Sequence, residues 1–145
     1  MCDPFDVQRF AAAQDTDGTY ARALAELRAG RKRTHWMWFV FPQLAGLGRS
    51  ETARRYAIGS LEEARAYLAD PLLGPRLRES TRALLDASAT LTAREILGDV
   101  DAMKLRSSMT LFLHAAPHDP LFRHALDRFF DGAADEATER LLRHE

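Results

Sequence analysis

Thr34-His35-Trp36-Met37-Trp38-Phe39-Val40-Phe41-Pro42 is the stretch on which the fold class turns. Its aromatic content suits a β-strand. Yet the sequence offers no second convincing strand, and an isolated strand leaves its backbone N–H and C=O groups unpaired. A short helix, capped by Thr34 and stopped around Pro42, satisfies those groups within the segment. We therefore expect a helix over residues 35–41. Being apolar all round, it belongs at the centre of the fold, with Trp36, Trp38, Phe39 and Phe41 largely buried.

The flanking sequence reads as helix throughout. Leucine and alanine far outnumber isoleucine and valine, and asparagine is absent; the abundant pair are good helix formers and the scarce pair favour strands. Asp-Pro occurs at Asp3-Pro4, Asp70-Pro71 and Asp119-Pro120, each time before an apolar periodic segment. Aspartate caps free N–H groups, and proline fits the first helical position, where an N–H has no partner. Ser60 with Glu63, and Thr92 with Glu95, read as capping boxes. These signals predict helices over 4–14, 19–29, 50–57, 60–70, 71–87, 92–97, 99–115, 119–131 and 134–143. The expected fold class is all-α: a single domain over residues 1–145 with about eight to nine helices, several short.

Composition excludes several classes. With 145 residues, 46% hydrophobic and 28% charged, the chain can bury a core and is not disordered. Its longest apolar run, Trp36 to Phe41, is far shorter than the roughly 18 residues of a membrane span. Met1-Cys2-Asp3-Pro4 lacks a basic flank and an apolar core, so no signal peptide is read and a cytoplasmic location is expected. A single cysteine, Cys2, precludes an internal disulfide and a cysteine-rich zinc site. His35, His114, His118, His124 and His144 show no paired metal-ligand spacing, so neither a metal nor a cofactor is expected.

Charge is uneven. The chain carries −1 overall, but residues 21–60 carry a net +6, which is where an anion would be met. Arg31-Lys32-Arg33 runs into His35 and the two tryptophans, a combination suited to holding a phosphate while a ring stacks; a solvated basic turn ahead of a core helix is the plainer reading. Pro42-Gln43-Leu44-Ala45-Gly46-Leu47-Gly48-Arg49-Ser50 offers two glycines and a helix start at Ser50, with Arg49, Arg54 and Arg55 nearby, but it matches neither a P-loop nor a dinucleotide fingerprint. In the helix from Asp101 to His114, Leu105, Met109, Phe112 and Leu113 form an apolar stripe. The remaining faces carry Lys104, Ser107, Ser108 and Thr110. Hydroxyls are poor choices for exposed helix surface, so they either contact a ligand or allow close packing.

Three of these stretches carry a resemblance: the segment from Arg33 to Ser50, Leu73-Gly74-Pro75-Arg76-Leu77, and Lys104-Leu105-Arg106-Ser107-Ser108-Met109-Thr110-Leu111-Phe112. They resemble the signature of an uncharacterised bacterial family, domain of unknown function 1810, some members of which are labelled calpastatin. The similarity runs from Pro4 into the last helix. It implies a compact all-helical fold and no established activity, substrate or catalytic residue. Ile96-Leu97-Gly98-Asp99 departs from the family's usual Ile-Phe-Gly-Ser.

The functional expectation is binding of a small phosphorylated or nucleotide-like ligand, with hydrolysis or transfer as chemistry open to such a site. Arg33, His35, Gln43, Arg49, Ser50 and Tyr56 would face Lys104, Ser107, Ser108 and Thr110 across one pocket, with Trp36 or Trp38 stacking. His35 is the one candidate for proton transfer. The rival reading is a protein-interaction module that uses residues 21–60. A third reading, weak nucleic-acid binding, is disfavoured by the near-zero net charge but kept open by the +6 of residues 21–60.

Overall fold

Each Asp-Pro pair acts at a helix start. The computed structural model describes residues 3–87 and 90–144; Cys2, the single cysteine, lies outside them. Asp3 accepts hydrogen bonds from the Val7 and Gln8 N–H groups at 3.0 and 3.2 Å, so α1 begins at Gln8, later than expected, and runs to Asp15. A 3-10 turn at Thr16–Gly18 leads into α2, Thr19–Arg28. Asp70 accepts from Leu72 and Leu73 N–H. Asp119 accepts from Leu121 N–H with Pro120 in the first turn.

The decisive stretch is helical for a single turn only, α3 at Met37–Val40. Trp36 (φ −143°) and Phe41 (ψ 73°) have left the helical region, so the helix is shorter than the 35–41 expected. Thr34 does not cap it: its hydroxyl donates to Glu26 instead. The helices that follow are α4 (Glu51–Arg55), α5 (Leu61–Ala69), α6 (Leu73–Ala87), α7 (Ala93–Leu97), α8 (Asp99–Ala115), α9 (Pro120–Phe130) and α10 (Glu136–Arg143). Among the described residues that makes ten α-helices, several short, and no strand, as the all-α expectation has it; the sole β-like contact is an isolated parallel bridge between Leu44 and Ile58. No helix among them is long and apolar enough to cross a membrane.

One apolar core runs through the molecule. Phe10, Trp36, Met37, Phe41, Tyr67, Leu77, Phe112 and Phe122 are buried to 1% exposure or less, whereas Trp38 and Phe39 are half-buried rather than fully enclosed. The middle of α8 is enclosed on all sides, from Ser108 to Phe112, because α5, α7, α9 and α10 all pack on it. That explains the hydroxyls on this helix. Ser107 and Thr110 donate back to the Met103 and Arg106 carbonyls at 3.1 and 2.8 Å, and their small side chains let neighbouring helices approach.

Candidate functional site

The chain contains only two lysines and two tryptophans, and the fold pairs them. Lys32 lies over the Trp36 ring at 5.3 Å from the centroid, and Lys104 lies over Trp38 at 4.2 Å. Both ammonium groups turn to one carboxylate: Lys32 Nζ is 2.9 Å from Asp101 Oδ2, and Lys104 Nζ is 3.4 Å from Oδ1. Such half-buried cation–ring pairs contribute about 0.5–2 kcal/mol each. The basic turn and the first turns of α8 are thereby joined.

Beneath them sits a buried acid. Glu26 Oε1 accepts from the Arg33 and Thr34 N–H groups and from Trp36 Nε1, at 2.7, 3.0 and 2.9 Å, and Oε2 accepts from Thr34 Oγ1 at 2.7 Å. Burial alone would raise its pKa, but these four donors outweigh that and hold the carboxyl at about 2. The basic turn is therefore moulded around an anion that the protein itself supplies.

Beyond Lys104 the surface opens into a groove of about 270 Å³. Gln43, Leu47 and Gly48 form one wall, Val100, Met103, Lys104 and Ser107 another, and Asp135 and Ala137 close the end. A Cβ on Gly48 would come within 2.5 Å of the Ala53 Cβ, so this glycine lets the 42–50 loop fold tightly on α4. Arg106 holds the far side, its guanidinium donating to the Ala133 and Ala134 carbonyls at 2.9 Å each. The Asp135 N–H donates to Thr110 Oγ1 at 2.9 Å.

Of the residues expected to form a pocket, Gln43, Lys104 and Ser107 meet in this groove. The others are placed differently. Trp36 is wholly buried with its N–H bonded to Glu26, so it has no face to offer a ligand. One face of Trp38 is covered by Lys104. Ser50 caps α4, accepting from Ala53 N–H at 3.0 Å. Tyr56 packs edge-on against Phe39, ring centroids 4.7 Å apart. Thr110 serves Asp135, and Ser108 is fully enclosed in the helix packing. Arg33, His35 and Arg49 are exposed and lie outside the groove lining. Among the described residues no cluster of His, Cys, Asp and Glu could hold a metal ion.

The sequence profile of the family described as a protein of unknown function, DUF1810, matches residues 4–142. The chain belongs to the DUF1810 family. Among solved structures it is similar to the conserved hypothetical protein Rv1873 of Mycobacterium tuberculosis, at 50% sequence identity and a TM-score of 0.93, over 97% of this chain and 99% of that one. No curated protein matches it.

Three acids of this DUF1810 protein went unassigned in the sequence. Glu26 sits within an ordinary-looking amphipathic α2, Asp101 resembles the acidic first turn of any helix, and Asp135 resembles a cap. The one available signal was Lys32 and Lys104, two lysines among eighteen arginines, whose partner turned out to be Asp101.

Proposed function

We propose that this DUF1810 protein binds a small ligand with a single acidic group, carboxylate or phosphoryl, in the groove between the 42–48 loop and α8. The observation that carries the reading is the convergence of Gln43, Lys104 and Ser107, from two distant signature stretches, on one concavity. Lys104 supplies the positive charge, and the Gln43 amide orients the acidic group, with Ser107 as part of the groove wall. Leu47, Val100 and Met103 supply apolar contact. The groove lies below the ~300–1,000 Å³ typical of drug-sized ligands, which favours the small end of the phosphorylated range over nucleotides. Trp36 is buried and one face of Trp38 is taken by Lys104, which disfavours base stacking, and the reading assigns no catalytic role to His35. The cytoplasm remains the proposed location.

The test is thermal unfolding with a panel of short-chain carboxylic acids, sugar phosphates and nucleotides. A ligand at 100 times its Kd stabilises the fold by about 2.7 kcal/mol, which raises Tm by roughly 5–10 °C in a domain of this size. The rise should vanish in Lys104→Ala, and a rise that persists in that variant contradicts the reading. A second reading, peptide docking, is favoured by one observation: Val100 and Met103 on the rim are 69% and 51% exposed. Loss of a protein partner on Met103→Glu with small-molecule binding absent would support it.

A further inference from the structure

The groove contains a carboxylate that an acid-binding site does not need. Asp135 lines it and is 8% exposed. Its Oδ2 accepts from Thr138 N–H and Oγ1, at 2.9 and 2.6 Å, as the cap of α10. No described residue donates a hydrogen bond to Oδ1 or places a cation in ion-pair range of this carboxylate. A cap needs only one acceptor oxygen, and serine or asparagine serves as well. Oδ1 is thereby left to accept from a donor of a ligand in the groove. The residue is also held in place, with its N–H on the buried Thr110 hydroxyl.

Lys104, in the same groove, pairs with Asp101 and not with Asp135. Its contact with Asp101 is long, 3.4 Å, leaving ammonium donors for another acceptor. The groove thus presents a cation and a carboxylate that are not neutralised by each other. Gln43 and Ser107 line the same groove, with Leu47, Val100 and Met103 as its apolar residues. A phosphoryl dianion would meet repulsion from Asp135 as well as attraction from Lys104. A molecule with an ammonium and a carboxylate on one carbon would satisfy both.

Resting on the acid-binding reading above, we infer that the groove recognises a free α-amino acid with an apolar side chain, its ammonium on Asp135 and its carboxylate on Lys104. The apolar side chain lies against Leu47, Val100 and Met103. Two charge-assisted hydrogen-bonding contacts to the two charged groups of one small molecule supply the selectivity, because removing either group leaves one protein charge unpaired.

Titration calorimetry on the intact chain tests this with leucine, methionine and valine, and with two truncated forms of leucine. These are 4-methylpentanoate, which lacks the ammonium, and 3-methylbutylamine, which lacks the carboxylate. At least one amino acid should bind, and each truncated form should bind at least tenfold more weakly than leucine. Asp135→Asn, which keeps an amide oxygen for Thr138, should weaken leucine at least tenfold and leave 4-methylpentanoate no weaker than before. Lys104→Gln should weaken both. If 4-methylpentanoate binds as tightly as leucine and loses affinity in Lys104→Gln, the amino-acid inference fails while the acid-binding reading stands. If no amino acid binds, the inference fails, and the acid panel decides the broader reading separately. The wild-type comparison among ligands requires no variant to fold.

Discussion

Glu26 shows how much one side chain organises this protein. Four donors converge on it from the turn that carries Lys32 and leads to Trp36. Glu26→Ala leaves the buried Trp36 Nε1 and three part-buried donors without their acceptor. Each such loss costs about 1–3 kcal/mol, so the variant should lose at least ~3 kcal/mol of stability in urea unfolding. The pH dependence has a definite sign. The carboxyl lies at about 2 in the fold against 4.5 as its ordinary value, so its contribution is complete above pH 4.5 and disappears as pH falls through 2. The stability gap between wild type and Glu26→Gln should therefore be widest near neutrality and shrink steadily below pH 4.5. A gap independent of pH would contradict the ionised assignment. Lys104 and Ser107 stood out in the sequence by their odd composition, and the fold brings them to one groove. The anchoring role of Glu26 was illegible, because a glutamate in an amphipathic helix looks ordinary. Trp36, Ser50 and Thr110 were misread because stacking, anion binding and ligand contact use the same atoms as core packing, capping and loop anchoring.

Among the elements, boundaries followed local chemistry closely. The Asp99–Ala115 helix has the ends that its sequence predicts, and Thr92 with Glu95 forms a complete capping box. Ser60 also caps its helix, but Glu63 directs its carboxylate to the Gly59 N–H and to Arg9, 3.0 and 2.8 Å away. That choice depended on Arg9, 54 residues distant, and no local pattern could contain it. The α5–α6 junction makes a sharper prediction. A Cβ on Gly74 would stand 2.1 Å from the Leu68 carbonyl oxygen, with backbone as the obstacle. Gly74→Ala must therefore separate the two helices despite alanine's better helix propensity. It should cost at least ~2 kcal/mol, within the range of overpacking strain, seen as a lower urea midpoint. An unchanged or higher midpoint would mean the junction yields freely. Pocket formation by the 42–50 loop and α8 was expected from their residues, yet the closing wall at Asp135 and Ala137 was not, because it depends on the Arg106 and Thr110 anchors.

At the scale of the whole molecule, helix-forming composition and the shortage of β-branched residues were enough to read the all-α class, since no strand had a partner. The calpastatin label carried by some DUF1810 proteins suits an extended inhibitor poorly matched to a chain with one continuous apolar core. Thermal unfolding should be a single cooperative transition, and calpain should not be inhibited; a featureless melt or clear inhibition would count against this account. The net charge was uninformative about the site, because the +6 of residues 21–60 is organised partly around the protein's own Glu26 and Asp101. The central claim is that the groove joining the 42–48 loop, α8 and the start of α10 is the ligand site. Amide NMR of the isotope-labelled chain, titrated with leucine and with 4-methylpentanoate, tests it most directly. The account predicts shifts confined to residues 43–48, 100–107 and 135–137 with at least one of the two compounds, and their loss in Lys104→Gln. Shifts centred elsewhere, or none with either compound at millimolar concentration, would contradict it.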